Sequence, residues 1–176
     1  MPAETLPTLE TERLLLRPYR VEEFDSYAAL WADPVVTSFI GGQPFTREQS
    51  WSRFLRHPGM WTFLGFGSFG VYDRRTGRHL GEAGFHDMKR DLAPSITGTM
   101  ETGWAFFPAA HGTGIATEAV RAVLGWADAN RPEMRVTCFV DPGNPASLRV
   151  AEKVGFREFA RGDYLGKPVI LFERKA

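Results

Sequence analysis

Two glycines one residue apart, Gly112 and Gly114, stand between an apolar run, Trp104-Ala105-Phe106-Phe107, and a segment with helical periodicity that starts at Ile115. A bare turn at the start of a helix gathers unpaired N–H groups and the positive end of the macrodipole, and glycine lets a phosphate come close to the backbone. The chemistry this suggests is anion binding. We read His111-Gly112-Thr113-Gly114-Ile115-Ala116 as the pyrophosphate cradle of a coenzyme. The competing reading is a tight strand-to-helix connection with no ligand, because Gly-x-Gly alone is a weak signal.

The segment behind the loop must position it. At about 100° per residue, Ile115, Ala119, Val120, Ala122, Val123, Trp126 and Ala127 share one side, and Thr117, Glu118, Arg121, Gly125 and Asp128 the other. Such a helix is expected to lie on a sheet.

The rest of the chain bounds the answer. With 176 residues, one domain is expected over 1–176, with a loose leader over 1–8. Apolar residues make up 43% and charged residues 24%, which disfavours disorder. Twenty-one cations balance 21 anions, so the basic excess typical of nucleic-acid binding is missing. No apolar stretch approaches the roughly 18–20 residues of a membrane span, and the N-terminus reads unlike a signal peptide. A cytoplasmic location is expected. The single cysteine, Cys138, rules out an internal disulfide and reads as core packing, and no metal site is expected.

In chain order, Leu14-Leu15-Leu16 between Arg13 and Arg17 predicts a first strand. Val21 to Trp31 reads as a helix stopped by Asp33-Pro34. A second helix is expected from the capping box at Thr46 to Gln49 as far as His57-Pro58. Phe63 to Tyr72, His79 to Phe85 and Thr97 to Phe107 then predict an antiparallel meander. Arg135 to Val140 predicts a further strand. Asn144 as N-cap and Pro145 as first residue open a short helix that Gly155 ends. Arg157 to Arg161 and Pro168 to Arg174 are the last two strands.

This order resembles the GNAT superfamily of acyl-CoA-dependent N-acyltransferases, and more narrowly its ribosomal-protein N-terminal acetyltransferase branch, the RimJ/RimL-like proteins. Four pieces carry the resemblance: Thr11 to Arg17, Glu101-Thr102-Gly103-Trp104, His111 to Ala119, and Asn144 to Ser147 with Glu152 to Phe156. It implies an α/β (α+β) fold with a mixed, mostly antiparallel central sheet of about seven strands and about four flanking helices. It also implies acetyl-CoA as co-substrate and a primary amine as acceptor, either a protein N-terminal amine or a small molecule. Neither nucleic acid nor membrane is an expected partner, and the protein is expected to be a monomer or homodimer.

By the same resemblance, Trp104, Phe106, Phe107, His111, Gly112, Thr113, Gly114, Ile115, Ala116, Thr117, Asn144 and Ser147 contact the coenzyme. The strand from Trp104 to Phe107 parts from its neighbour there to free backbone groups for the pantetheine. The family pattern has Arg or Gln at His111, and many members have a tyrosine acid where this chain has Ala151, leaving Ser147 and Tyr164 as hydroxyl candidates. For the general base, Glu101 stands first and Glu82 second. By the period of two, Glu82 shares a face with His86, and Glu101 with Gly103 and Ala105. Each could instead be an edge charge or a partner in an ion pair. Asn144 reads either as a helix cap or as a cap that also bonds the coenzyme. Aromatic residues within Pro34 to Phe45 could line an acceptor pocket. A dinucleotide fold is disfavoured, because the third glycine of Gly-x-Gly-x-x-Gly is Thr117 here. The remaining alternative is a non-catalytic acyl-CoA-binding sensor or interaction module.

Overall fold

A computed structural model describes residues 6–175. Of the expected leader, residues 1–5 lie outside the described residues. The elements in chain order begin with β1 (Leu9–Glu10) and β2 (Leu14–Arg17), followed by the helices α1 (Phe24–Ala32), α2 (Pro34–Thr37), α3 (Arg47–Phe54) and α4 (Arg56–Leu64). Then come β3 (Ser68–Asp73), β4 (His79–His86), β5 (Met100–Phe106) and α5 (Ile115–Asn130). The chain closes with β6 (Val136–Val140), α6 (Pro145–Lys153), β7 (Arg157–Tyr164) and β8 (Lys167–Arg174). The eight strands form one sheet in the order β1-β2-β3-β4-β5-β6-β8-β7. Every neighbouring pair is antiparallel except β5 and β6, which run parallel.

The mostly antiparallel mixed sheet expected from the sequence is present. The extra strand is β1, and the extra helices have local causes. Asp33 does stop α1, but its carboxylate also accepts from the N–H groups of Val35 at 2.8 Å and Val36 at 3.3 Å. It therefore caps α2, with Pro34 in the first turn, where a missing N–H costs nothing. Pro58 likewise falls in the first turn of α4 and does not end a helix. As a result Phe63 and Leu64 are helical, not the start of a strand as the sequence suggested. Gly65, at φ +71°, is the left-handed cap of α4.

α5 lies on the sheet through Ala119, Val120, Val123, Leu124 and Ala127, all buried. Burial of the larger aliphatic side chains in such a stripe contributes about 1.5–3 kcal/mol each. α1 and α3 pack against each other, and Tyr27, Leu30, Trp31 and Phe54 form a second core with Ala105 of β5. The middle strands are thus covered on both faces, which is why β3 and β4 are buried along nearly their whole length.

Candidate active site

β5 and β6 pair only at Met100 with Val136 and Glu101 with Thr137. Beyond that point each strand stays bonded to its outer partner, β5 to β4 as far as Phe106 and β6 to β8 as far as Val140. The sheet therefore splits, and the edges facing the split carry free backbone groups. The split opens into a cleft of about 420 Å³. Glu82, Glu101, Trp104, Asn144 and Ser147, five of the residues singled out from the sequence, line it together.

The glycine loop lies beyond the end of β5. His111 N–H bonds the Pro108 carbonyl at 3.0 Å, and Glu118 N–H bonds the Gly114 carbonyl at 3.0 Å. Between them, residues 112–117 present a run of N–H groups with no protein acceptor among the described residues. Gly112 and Gly114 sit at φ +73° and +80°, a left-handed conformation that glycine adopts at little cost. The loop is braced from behind: Arg13 Nη1 donates to the Thr113 carbonyl at 3.0 Å and Nε to Glu118 at 2.6 Å. This is the donor array a pyrophosphate needs. The donors it offers are backbone N–H groups, because the His111 ring turns back to donate from Nε2 to the Phe106 carbonyl at 2.8 Å. Thr113 Oγ1 likewise donates to the Ala110 carbonyl, at 2.6 Å. The Phe106 and Phe107 side chains pack into the two cores, while Ile115, Ala116 and Thr117 form the first turn of α5.

Asn144 caps α6, its Oδ1 accepting from Ser147 N–H at 3.1 Å. Ser147 is half-buried beside it at the cleft. Ala151 is fully buried, so that position presents nothing to the cleft. Tyr164, from β7, accepts a hydrogen bond from Arg90 Nη1 at 2.8 Å, which leaves its own proton free to donate.

The two buried glutamates differ. Glu101 is gripped by Arg90, with Nε at 2.7 Å from one oxygen and Nη2 at 2.8 Å from the other, a bidentate fork. Glu82 has no such partner. Its Oε1 lies 3.9 Å from Arg53, and its Oε2 is buried with no hydrogen bond among the described residues. Burial pushes its carboxyl up to about 7, outweighing Arg53 and the Tyr19 phenol, which pull it down. His57, 3.7 Å from Glu82, and His86 are both pushed down to about 3 by burial, helped by the neighbouring arginines. They are neutral at physiological pH, so neither forms a charged pair with its glutamate. The period-two reading holds across the strands: His86 stands opposite Glu101 and Glu82 opposite Ala105. Gly103 makes room for this, since a Cβ there would lie 2.6 Å from His86 Nε2.

Sequence reasoning missed Arg53, Arg90 and His57. Their segments show no pattern that distinguishes these residues from other surface charges, and only the fold brings them to the glutamates. Trp31 and Phe45 form the far wall of the cleft, their rings stacked 5.4 Å apart. Phe45 falls inside the segment expected to line an acceptor pocket.

Residues 13–157 match the acetyltransferase (GNAT) domain family. Among curated proteins, the uncharacterized protein YkkB of Bacillus subtilis is 30% identical, covering 96% of this chain and 95% of its own length. Among solved structures, one described as a GnaT-family acetyltransferase from Bordetella pertussis is 32% identical with a TM-score of 0.85, covering 96% of this chain and 99% of that one. At the level of the fold alone, AAC(6')-Ib in complex with paromomycin and acetyl-CoA superimposes with a TM-score of 0.75 at 16% identity, covering 93% and 94%.

Proposed function

The chain belongs to the GNAT acetyltransferase family, and on that premise we propose that it is an acetyl-CoA-dependent N-acetyltransferase, a single domain working in the cytoplasm on a primary amine. The observation that carries the reading is the split between β5 and β6, with the unpartnered N–H run at 112–117 beyond one end of β5 and a buried, untethered Glu82 in the cleft. The amine attacks in a ternary complex with no covalent enzyme intermediate. Acetyl-CoA supplies the activated acetyl group when bound; the protein supplies the cradle, a proton acceptor and the cleft that brings them together. The loop amides and the α5 dipole hold the pyrophosphate, and free backbone groups of β5 hold the pantetheine arm.

Glu82 rather than Glu101 takes the proton of the attacking amine. A carboxyl near 7 is partly ionised at neutral pH and basic enough to accept a proton, whereas a carboxylate already bonded twice to Arg90 has its lone pairs engaged. Behind Glu82 a polar cavity of about 30 Å³, bounded by Arg56, His57 and Met60, has room for a water that would carry the proton outward. The Tyr164 hydroxyl and that of Ser147, both lining the cleft, are the groups that can protonate the departing thiolate. A thiol of pKa about 8.5 is a fair leaving group even unaided. The RimJ/RimL-like motifs support an α-amine as the acceptor.

Calorimetric titration with acetyl-CoA, with NADH and ATP as controls, tests the reading. Acetyl-CoA alone should bind, at micromolar strength, and Gly114→Trp should lose that binding while keeping its circular dichroism. Wild-type binding by that variant would contradict the cradle assignment. The buried Ala151, in place of a phenolic acid, favours the second reading, an acyl-CoA-binding module without turnover. Steady thiol release with any amine would remove it.

A further inference from the structure

The cleft contains a cation for which the reaction as proposed has no use. Arg53, on α3, lays its guanidinium over the Trp31 ring, 4.0 Å from the centroid, and reaches toward Glu82 with Nη2 at 3.9 Å from Oε1, beyond hydrogen-bond distance. Among the described residues its guanidinium meets no acceptor in hydrogen-bonding geometry, the Tyr27 phenol being the other polar group close to it. A stacked, half-buried guanidinium is held in one orientation, with its planar edge of donors preorganised for a bidentate acceptor. The other arginine of the cleft, Arg90, is fully engaged by Glu101 and Tyr164. Arg53 is therefore the free fork beside the carboxyl that receives the proton.

We infer that the acceptor is an amino-acid-like molecule, a primary amine with a carboxylate on the adjacent carbon, whose carboxylate Arg53 binds while its amine faces Glu82. The 3.9 Å between Arg53 and Glu82 matches two groups on one carbon and not two ends of a long molecule. Trp31 and Phe45 offer an aromatic wall to the remaining side chain. The charge of the cleft agrees. Arg53, Arg90 and Lys167 balance Glu82, Glu101 and Asp141 along it, so an acceptor carrying one amine and one carboxylate meets a balanced site rather than the acidic one a polycationic amine needs. A peptide N-terminus carries an amide where Arg53 needs an anion.

This inference rests on the acetyltransferase reading, and the experiment separates the two. Thiol release at fixed acetyl-CoA is compared for L-phenylalanine, L-phenylalaninamide and 2-phenylethylamine, which share a ring and differ in the carboxylate. The amide has a less basic amine than the acid and the arylethylamine a more basic one, so basicity cannot mimic the expected order. The acid should exceed both by roughly tenfold or more in kcat/KM. Arg53→Met should bring the ratio to near unity, mainly through KM, and Arg53→Lys should restore part of it. Binding of N-acetylphenylalanine against its amide in the presence of CoA, by calorimetry, reads the same contact without turnover. Equal use of acid and amide, a faster peptide or aminoglycoside, a preference that survives Arg53→Met, or no acid-over-amide preference in either readout overturns the inference. Failure of the reading beneath it would show separately, as absence of acetyl-CoA binding.

Discussion

Two buried glutamates stand on adjacent strands on one side of the split, each with a histidine nearby, yet they are built for different work. On β5, Glu101 is locked to Arg90, which in turn orients Tyr164 from across the split. On β4, beneath Arg53 of α3, Glu82 is just as buried but lacks a close partner, and its carboxyl is pushed up to about 7. Residue type, burial and strand position are matched; a guanidinium fork engages one carboxylate, and its absence leaves burial to raise the proton affinity of the other.

The comparison breaks most sharply under isosteric substitution. Glu82→Gln should lower turnover by about 10²–10⁴-fold, the span typical of a lost general base, while leaving acetyl-CoA affinity within about twofold. A smaller loss than that produced by Glu101→Gln would reverse the roles.

Stability should respond in the opposite direction. Because the folded carboxyl of Glu82 lies above its ordinary 4.5, the folded state holds more protons than the unfolded state between pH 4.5 and about 7. Stability from this group is therefore lost as pH rises through that window, by up to about 3 kcal/mol. His57 and His86, lowered from 6.5 to about 3, act in reverse and add stability as pH rises between 3 and 6.5. Subtracting wild-type from Glu82→Gln denaturation curves isolates the glutamate. The variant's relative stability should climb from pH 5 to 7 and then level. A flat difference would mean that Glu82 titrates normally.

Glu101→Gln should destabilise at neutral pH, by on the order of 2–3 kcal/mol, because it strands Arg90. This is less than the roughly 3–5 kcal/mol of a fully buried pair, since the Arg90 side chain is 20% exposed. Urea denaturation measures it. Tyr164→Phe, which removes one hydrogen bond to Arg90, should cost about 0.5–1.5 kcal/mol. If the Tyr164 phenol is the acid, its loss should also slow turnover with acetyl-CoA more than with a thioester of a more acidic thiol.

Much of this was legible in the sequence because it depends on local rules. Gly112-Thr113-Gly114 before an amphipathic segment, Asn144-Pro145 at a helix start and the alternation along β4 and β5 each fix a neighbourhood of a few residues. Pro58 misled because proline stops a helix in its interior but starts one equally well, and Gly65 after it is the cap that decides. The placement of β8 between β6 and β7 is a matter of tertiary pairing that strand spacing does not encode. The same limit explains the ranking of the glutamates. The alternation put Glu82 and Glu101 on strands facing one groove, but Arg90 reaches Glu101 from the loop after β4, and Arg53 reaches Glu82 from a helix far upstream.

The account stands or falls on Glu82, and the most direct test is the pH dependence of acetyl transfer by wild type, Glu82→Gln and Glu101→Gln with one acceptor. The acceptor's own ionisation cancels in the ratios. The wild-type to Glu82→Gln ratio should rise with pH to a plateau above about 7, and the wild-type to Glu101→Gln ratio should stay flat. A flat ratio for Glu82→Gln, or a rising one for Glu101→Gln, would contradict the assignment of the base.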